Sequence, residues 1–154
     1  MIVPQPFDQA PDFTVETTEG TLSLADLLQR GKLILAFYTE DATPMCSTQV
    51  AMLKDDYLIV REFGATVLAV SADSVDSHLE FAARLGGIPF PLATDESLDL
   101  ARAYGVAGEP AKRAHRAIFV IDQTGMVTHS QPWFQPSNTG QYQAIFAAIG
   151  LDIA

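Results

Sequence analysis

Cys46 is the only thiol in a chain of 154 residues. It follows Thr43-Pro44-Met45, a few residues after the apolar run Leu33-Ile34-Leu35-Ala36-Phe37-Tyr38. Thr is a good helix N-cap, and Pro is favoured at the first helical position because the N–H it lacks has no partner there anyway. The spacing therefore predicts a strand, a short loop and a helix whose third residue is Cys46. A sulfur so placed faces the unpaired N–H groups and positive dipole end of the helix. That setting favours thiolate, which is the nucleophilic form. A fall in thiol pKa from about 8.5 to about 6 raises the thiolate fraction at pH 7 roughly thirtyfold.

A thiolate in a dry pocket calls for a cation. Lys112, Arg113, His115 and Arg116 form the basic cluster, and Arg116 directly precedes the apolar run Ala117-Ile118-Phe119-Val120-Ile121. If that run is a strand beside 33–38, Arg116 can bring its guanidinium to the sulfur, while Lys112 and Arg113 read as a solvated loop face. The three histidines, His78, His115 and His129, lack ligand spacing, so neither a metal nor a cofactor is expected.

Bulk properties narrow the classes further. The length suits one domain, 1–154, with one core and no need of disulfides. A formal charge of −10 argues against nucleic acid and anionic membranes as partners. The N-terminal residues have neither the basic region nor the apolar stretch of a secretory signal, and no run reaches membrane-spanning length. With one Cys, no intrachain disulfide can form, and the expected location is the cytoplasm.

The remaining pattern predicts how these residues are carried. Two short β-runs around Glu19-Gly20 read as a hairpin, followed by a short helix ending at Gly31. One long helix is expected over 44–63, with Cys46, Val50, Leu53, Tyr57 and Val60 on one face. A buried strand over 66–70 follows, then a helix capped by Asp73 or Ser74. Pro89-Phe90-Pro91 must be extended. Asp95 caps a short helix ending at Gly105. Ala117 to Ile121 and 126–130 form a hairpin, and a last helix starts at Ser137 or Asn138. This order implies an α/β fold with a mixed central sheet and helices on both faces. It is the order of a thioredoxin-like fold with an N-terminal β-hairpin extension and an inserted helix.

On these residues the chain resembles the peroxiredoxins, in particular the bacterioferritin-comigratory-protein branch. The resemblance rests on Asp41-Ala42-Thr43-Pro44-Met45-Cys46, Val70-Ser71-Ala72-Asp73-Ser74, His78, Pro89-Phe90-Pro91-Leu92 and Arg116-Ala117-Ile118-Phe119-Val120-Ile121-Asp122. It implies that Cys46 is the peroxidatic nucleophile, that Thr43 hydrogen-bonds the peroxide and that Arg116 polarises thiolate and substrate. It also implies a hydroperoxide substrate and a sulfenic acid recycled by an external thiol, either a small molecule or a thioredoxin- or glutaredoxin-like protein. The expected state is monomer or homodimer. The chain departs from the family pattern at Thr39, where the motif has Pro, at Gln49, where the branch often has Glu, and at Ala51, where many members carry a resolving Cys. With no second Cys, the cycle is of one-cysteine type. A peroxide sensor that signals through Cys46 without efficient turnover is the competing reading, with Trp133-Phe134 as its exposed contact. A packed loop or a homodimer edge is the plainer account of that segment.

Overall fold

The hairpin forms as β1 (Thr14–Thr17) and β2 (Gly20–Ser23). Ser23 then caps α1 (Leu24–Arg30): its hydroxyl accepts from Asp26 N, and the Asp26 carboxylate accepts from Ser23 N. That reciprocal pair satisfies two N–H groups that the helix cannot. The structure is a computed structural model and describes residues 2–41, 44–108 and 113–150; for residues 44–47 it describes the backbone only.

Gly31 turns the chain from α1 into β3 (Lys32–Phe37) at a φ of +146°, with Lys32 N donating to Gly64 O at 2.9 Å. A Cβ at Gly31 would run into the Gly64 carbonyl. Gly31→Ala should therefore cost more than about 1 kcal/mol of stability, read as a lower urea midpoint with an unchanged slope.

β3 is an inner strand of a seven-stranded sheet. It pairs parallel with β4 (Ala65–Ser71) on one side and antiparallel with β8 (Ala117–Ile121) on the other. The order is β2-β1-β5-β4-β3-β8-β9, with β5 at Leu92–Thr94 and β9 at Val127–Pro132. β3, β4 and β8 are apolar along nearly their whole length because both faces are covered. Leu33, Leu35, Phe37, Phe119 and Tyr104 pack on one side. Ile34, Ala36, Tyr38, Val67, Ile118 and Phe146 pack on the other. Helices α4 (Val75–Arg84) and α6 (Thr139–Ile149) start at Ser74 and Asn138, whose side chains accept from Ser77 N and Gln141 N. The expected mixed α/β fold, with a thioredoxin-like core and an N-terminal hairpin, is the one observed.

Four elements differ from expectation. The long helix over 44–63 is two helices, α2 (Pro44–Asp55) and α3 (Tyr57–Glu62). Tyr142 Oη of α6 meets the chain at the break, donating toward Met52 O at 3.0 Å and toward Asp56 Oδ2 at 2.7 Å, while Asp56 N keeps its bond to Met52 O at 3.1 Å. The strand β5 directly follows Pro91 and is too short to carry an alternating pattern. A small separate ladder, β6 (Ala107–Gly108) with β7 (Arg113–Ala114), was not expected. The short helix α5 (Asp99–Ala103) has Leu98 as N-cap, in a left-handed conformation. Asp95 still serves its first turn, accepting from Leu100 N and Ala101 N at 3.1 and 2.9 Å.

Candidate active site

The backbone places Cys46 as the third residue of α2, as the Thr-Pro spacing predicts. Thr43 and Lys112 fall outside the described residues. Sheet register locates Arg116. Phe37, the last residue of β3, pairs with Ala117, the first of β8. Arg116 therefore sits at the strand end from which the chain leaves β3 toward Cys46. Arg116 is half-buried, and its Nε is fully buried with no hydrogen-bond partner among the described residues. A buried guanidinium N–H without an acceptor is costly, so it calls for an oxygen or a thiolate to complete it.

Gln49 stands on the second turn of α2, pointing at the same strand end. Its Nε2 donates to Phe37 O at 3.1 Å, and its Oε1 is buried with no partner among the described residues. The residue that replaces the branch's Glu thus fastens the Cys46 helix to the end of β3.

A buried polar network holds the loop between β3 and α2. Asp41 and His78 are 2% and 0% exposed. His78 Nε2 lies 2.9 Å from Ala93 O, an acceptor only, so that nitrogen donates. His78 Nδ1 faces both Asp41 oxygens at 3.0 and 2.9 Å and lies 3.2 Å from the Tyr38 hydroxyl. Tyr38 Oη donates to Asp41 Oδ1 at 2.5 Å and Ser77 Oγ to Asp41 Oδ2 at 2.7 Å. The Asp41 N–H in turn donates to Asp73 Oδ2 at 2.9 Å, and Ser71 Oγ donates to that same oxygen at 2.6 Å. Burial alone would raise the Asp41 pKa; the His78, Tyr38 and Ser77 donors outweigh it and hold the carboxyl below its usual range. Burial first, and then Asp41, push the Tyr38 phenol well above its ordinary value.

In the sequence Asp41 and His78 stand thirty-seven positions apart, with nothing local to pair them. One signal for their role was available: His78 lies on the Phe81 face of α4, where a core helix would carry another apolar residue.

Beside Arg116 lies a cavity of about 220 Å³ lined by Thr39, His115, Arg116, Trp133, Phe134 and Gln135. Thr39, which replaces the motif Pro, forms part of its wall. Phe134 is buried in the core and its N–H donates to Arg116 O at 2.8 Å. Trp133 is 61% exposed, and it is held at φ 58°. A left-handed conformation costs a non-glycine residue about 1–2 kcal/mol. Arg113, read as solvated, is exposed but pairs with Glu40 at 3.1 Å, tying the β6–β7 ladder to the loop that follows β3.

Residues 6–130 match the AhpC/TSA family. The chain belongs to that family. Thiol-dependent peroxidase is accordingly its enzyme class. It is 33% identical over 130 residues to a putative peroxiredoxin bcp of Coxiella burnetii, covering 80% of this chain and 85% of that one. It is 34% identical over 132 residues to a chloroplastic 2-cysteine peroxiredoxin of Chattonella marina var. antiqua, covering 79% of this chain and 67% of that protein. An archaeal peroxiredoxin of Thermoplasma volcanium is 32% identical over 141 residues, 86% of this chain and 66% of that protein. The chain thus spans about two thirds of the algal and archaeal relatives. The crystal structure of peroxidoxin BcpB from Mycobacterium tuberculosis superposes with a TM-score of 0.85 at 25% identity, covering 95% of this chain and 96% of that one. No helix among the described residues is long and apolar enough to cross a membrane.

Proposed function

We propose that Cys46 is the peroxidatic nucleophile of a one-cysteine cycle, with Thr43 and Arg116 as the donors that stabilise the breaking O–O bond. The observation that carries this reading is the pairing of Phe37 with Ala117, which brings the buried Nε of Arg116, without a hydrogen-bond partner among the described residues, to the strand end that feeds the Cys46 helix. The Cys46 thiolate attacks one peroxide oxygen and the O–O bond breaks. The leaving oxygen takes a proton and departs as water or an alcohol, and Cys46 is left as sulfenic acid. Arg116 and the helix N–H groups stabilise negative charge as it moves from sulfur to the leaving oxygen.

A first equivalent of external thiol displaces water from the sulfenic acid to give a mixed disulfide. A second releases Cys46 as thiol, with the two reductant sulfurs joined. The chain has no other Cys, so both equivalents come from outside. The reductant is a small thiol or a thioredoxin- or glutaredoxin-like protein, the compartment that supplies it is the cytoplasm, and the enzyme works as a monomer or homodimer. Sensing without turnover is not favoured beside relatives named peroxiredoxin and, in Fasciola hepatica, thioredoxin peroxidase.

The test is direct. One equivalent of hydrogen peroxide added with dimedone should leave a single dimedone adduct at Cys46 by intact and peptide mass spectrometry. Catalytic peroxide consumption should appear only when a thiol reductant is supplied. An unmodified Cys46 under these conditions would overturn the assignment.

A further inference from the structure

Trp133 combines three properties. It is exposed, it occupies a left-handed conformation that a glycine would adopt without strain, and its indole packs against His115 with ring centroids 4.1 Å apart. Both neighbours of this pair are fixed. Phe134 is anchored in the core, and β9 reaches Pro132 paired with Ala117. On the other side, His115 N donates to Val106 O, and its ring packs over Gly108, where a Cβ would meet the imidazole at 3.3 Å. The indole is thus held at one place, and it lines the same cavity as Arg116.

We propose that Trp133 and His115 form the binding site for the hydrocarbon group of an organic hydroperoxide, making Trp133 the residue that selects apolar, aromatic peroxides over hydrogen peroxide. The proposal rests on the peroxidase reading above, since it takes Arg116 as the group that receives the peroxide end. The cavity wall joins the polar side chains of Arg116, Thr39 and Gln135 to the ring faces of Trp133, His115 and Phe134. A hydroperoxide carrying a phenyl group combines the same two chemistries. At about 220 Å³ the cavity lies below the range of about 300–1,000 Å³ typical of drug-sized ligands, which suits a single ring or a short chain. Burial lowers the His115 pKa, so the ring is neutral at pH 7 and offers an apolar face. Hydrogen peroxide, with no hydrocarbon group, gains nothing from this surface.

Two measurements test the proposal. Cumene hydroperoxide and hydrogen peroxide are compared by kcat/KM with dithiothreitol as reductant. The ratio of the two constants should fall at least about tenfold in Trp133→Gly, which keeps the backbone conformation, and return toward wild type in Trp133→Phe. Separately, cumyl alcohol, the product of the aromatic substrate, is titrated into the wild type and into Cys46→Ser. Trp133 is the only tryptophan, so its fluorescence reports the site directly and should change saturably in both proteins. An unchanged ratio, or no saturable fluorescence change, overturns the proposal. So does a Trp133→Gly defect confined to the step with a thioredoxin-like protein reductant, which would make the indole a contact for that protein. If cumyl alcohol binds but no peroxide is consumed, the apolar site stands and the peroxidase reading fails.

Discussion

Cys46→Ser should bring peroxide consumption down to the level of buffer and reductant alone, and Arg116→Ala should cost about 10²–10³-fold while leaving the thiol intact. The second effect is the informative one. If Arg116 only lowered the thiol pKa, removing it could cost no more than the loss of thiolate, roughly thirtyfold at pH 7. A donor placed where negative charge develops is worth about 10²–10³-fold by itself. Stopped-flow rates of Arg116→Ala and Thr43→Val across a pH range separate the two, since at high pH every variant is fully thiolate. A deficit that persists there belongs to transition-state stabilisation, and a deficit that vanishes there belongs to ionisation. Arg116→Lys keeps the charge but replaces the planar fork of donors with a compact ammonium, so it should recover only part of the rate.

The legibility of this site from sequence follows the range of the forces that build it. The position of Cys46 in α2 was readable because the preference of Pro for the first helical position is local chemistry. Strand β8 was readable to the residue because a five-residue apolar run flanked by Arg116 and Asp122 leaves little choice of boundary. Arg116 was readable as the residue before that strand, but its place at the end of β3 that leads to the Cys46 helix depends on register between strands eighty residues apart. The break between α2 and α3 was hidden for the same reason. Asp56 lies inside an unbroken apolar periodicity, and the group that meets it there is the hydroxyl of Tyr142, eighty-six positions along the chain. The strand β5 and the β6–β7 ladder, at three and two residues per strand, are too short to show any period. Their pairing depends on neighbours that only the folded sheet provides.

Asp41→Ala should remove about 3–5 kcal/mol of stability, because it strips the buried His78, Tyr38 and Ser77 side chains of the one partner they share. His78→Leu should cost a similar amount by stranding the carboxylate. The double replacement should cost less than the sum, since each single change already breaks the shared network. Acidity gives an independent handle. The folded-state pKa of Asp41 is lowered, so its stabilising contribution is complete above the unfolded value of about 3.9 and is lost as pH falls through the folded value. Urea melts below about pH 4 should therefore show a steeper acid loss in the wild type than in Asp41→Asn, which has no carboxylate to protonate. Asp41 stands two residues before Thr43, and its own N–H is tied to Asp73. Loosening this anchor lets the approach to the Cys46 helix drift, and misplacement of a reacting group by about 1 Å can cost on the order of 100-fold in rate. Asp41→Asn, which keeps the shape but weakens the hold, should slow peroxide reduction even at temperatures where circular dichroism reports it fully folded. Native peroxide rates in a folded Asp41→Asn protein would confine the network to stability.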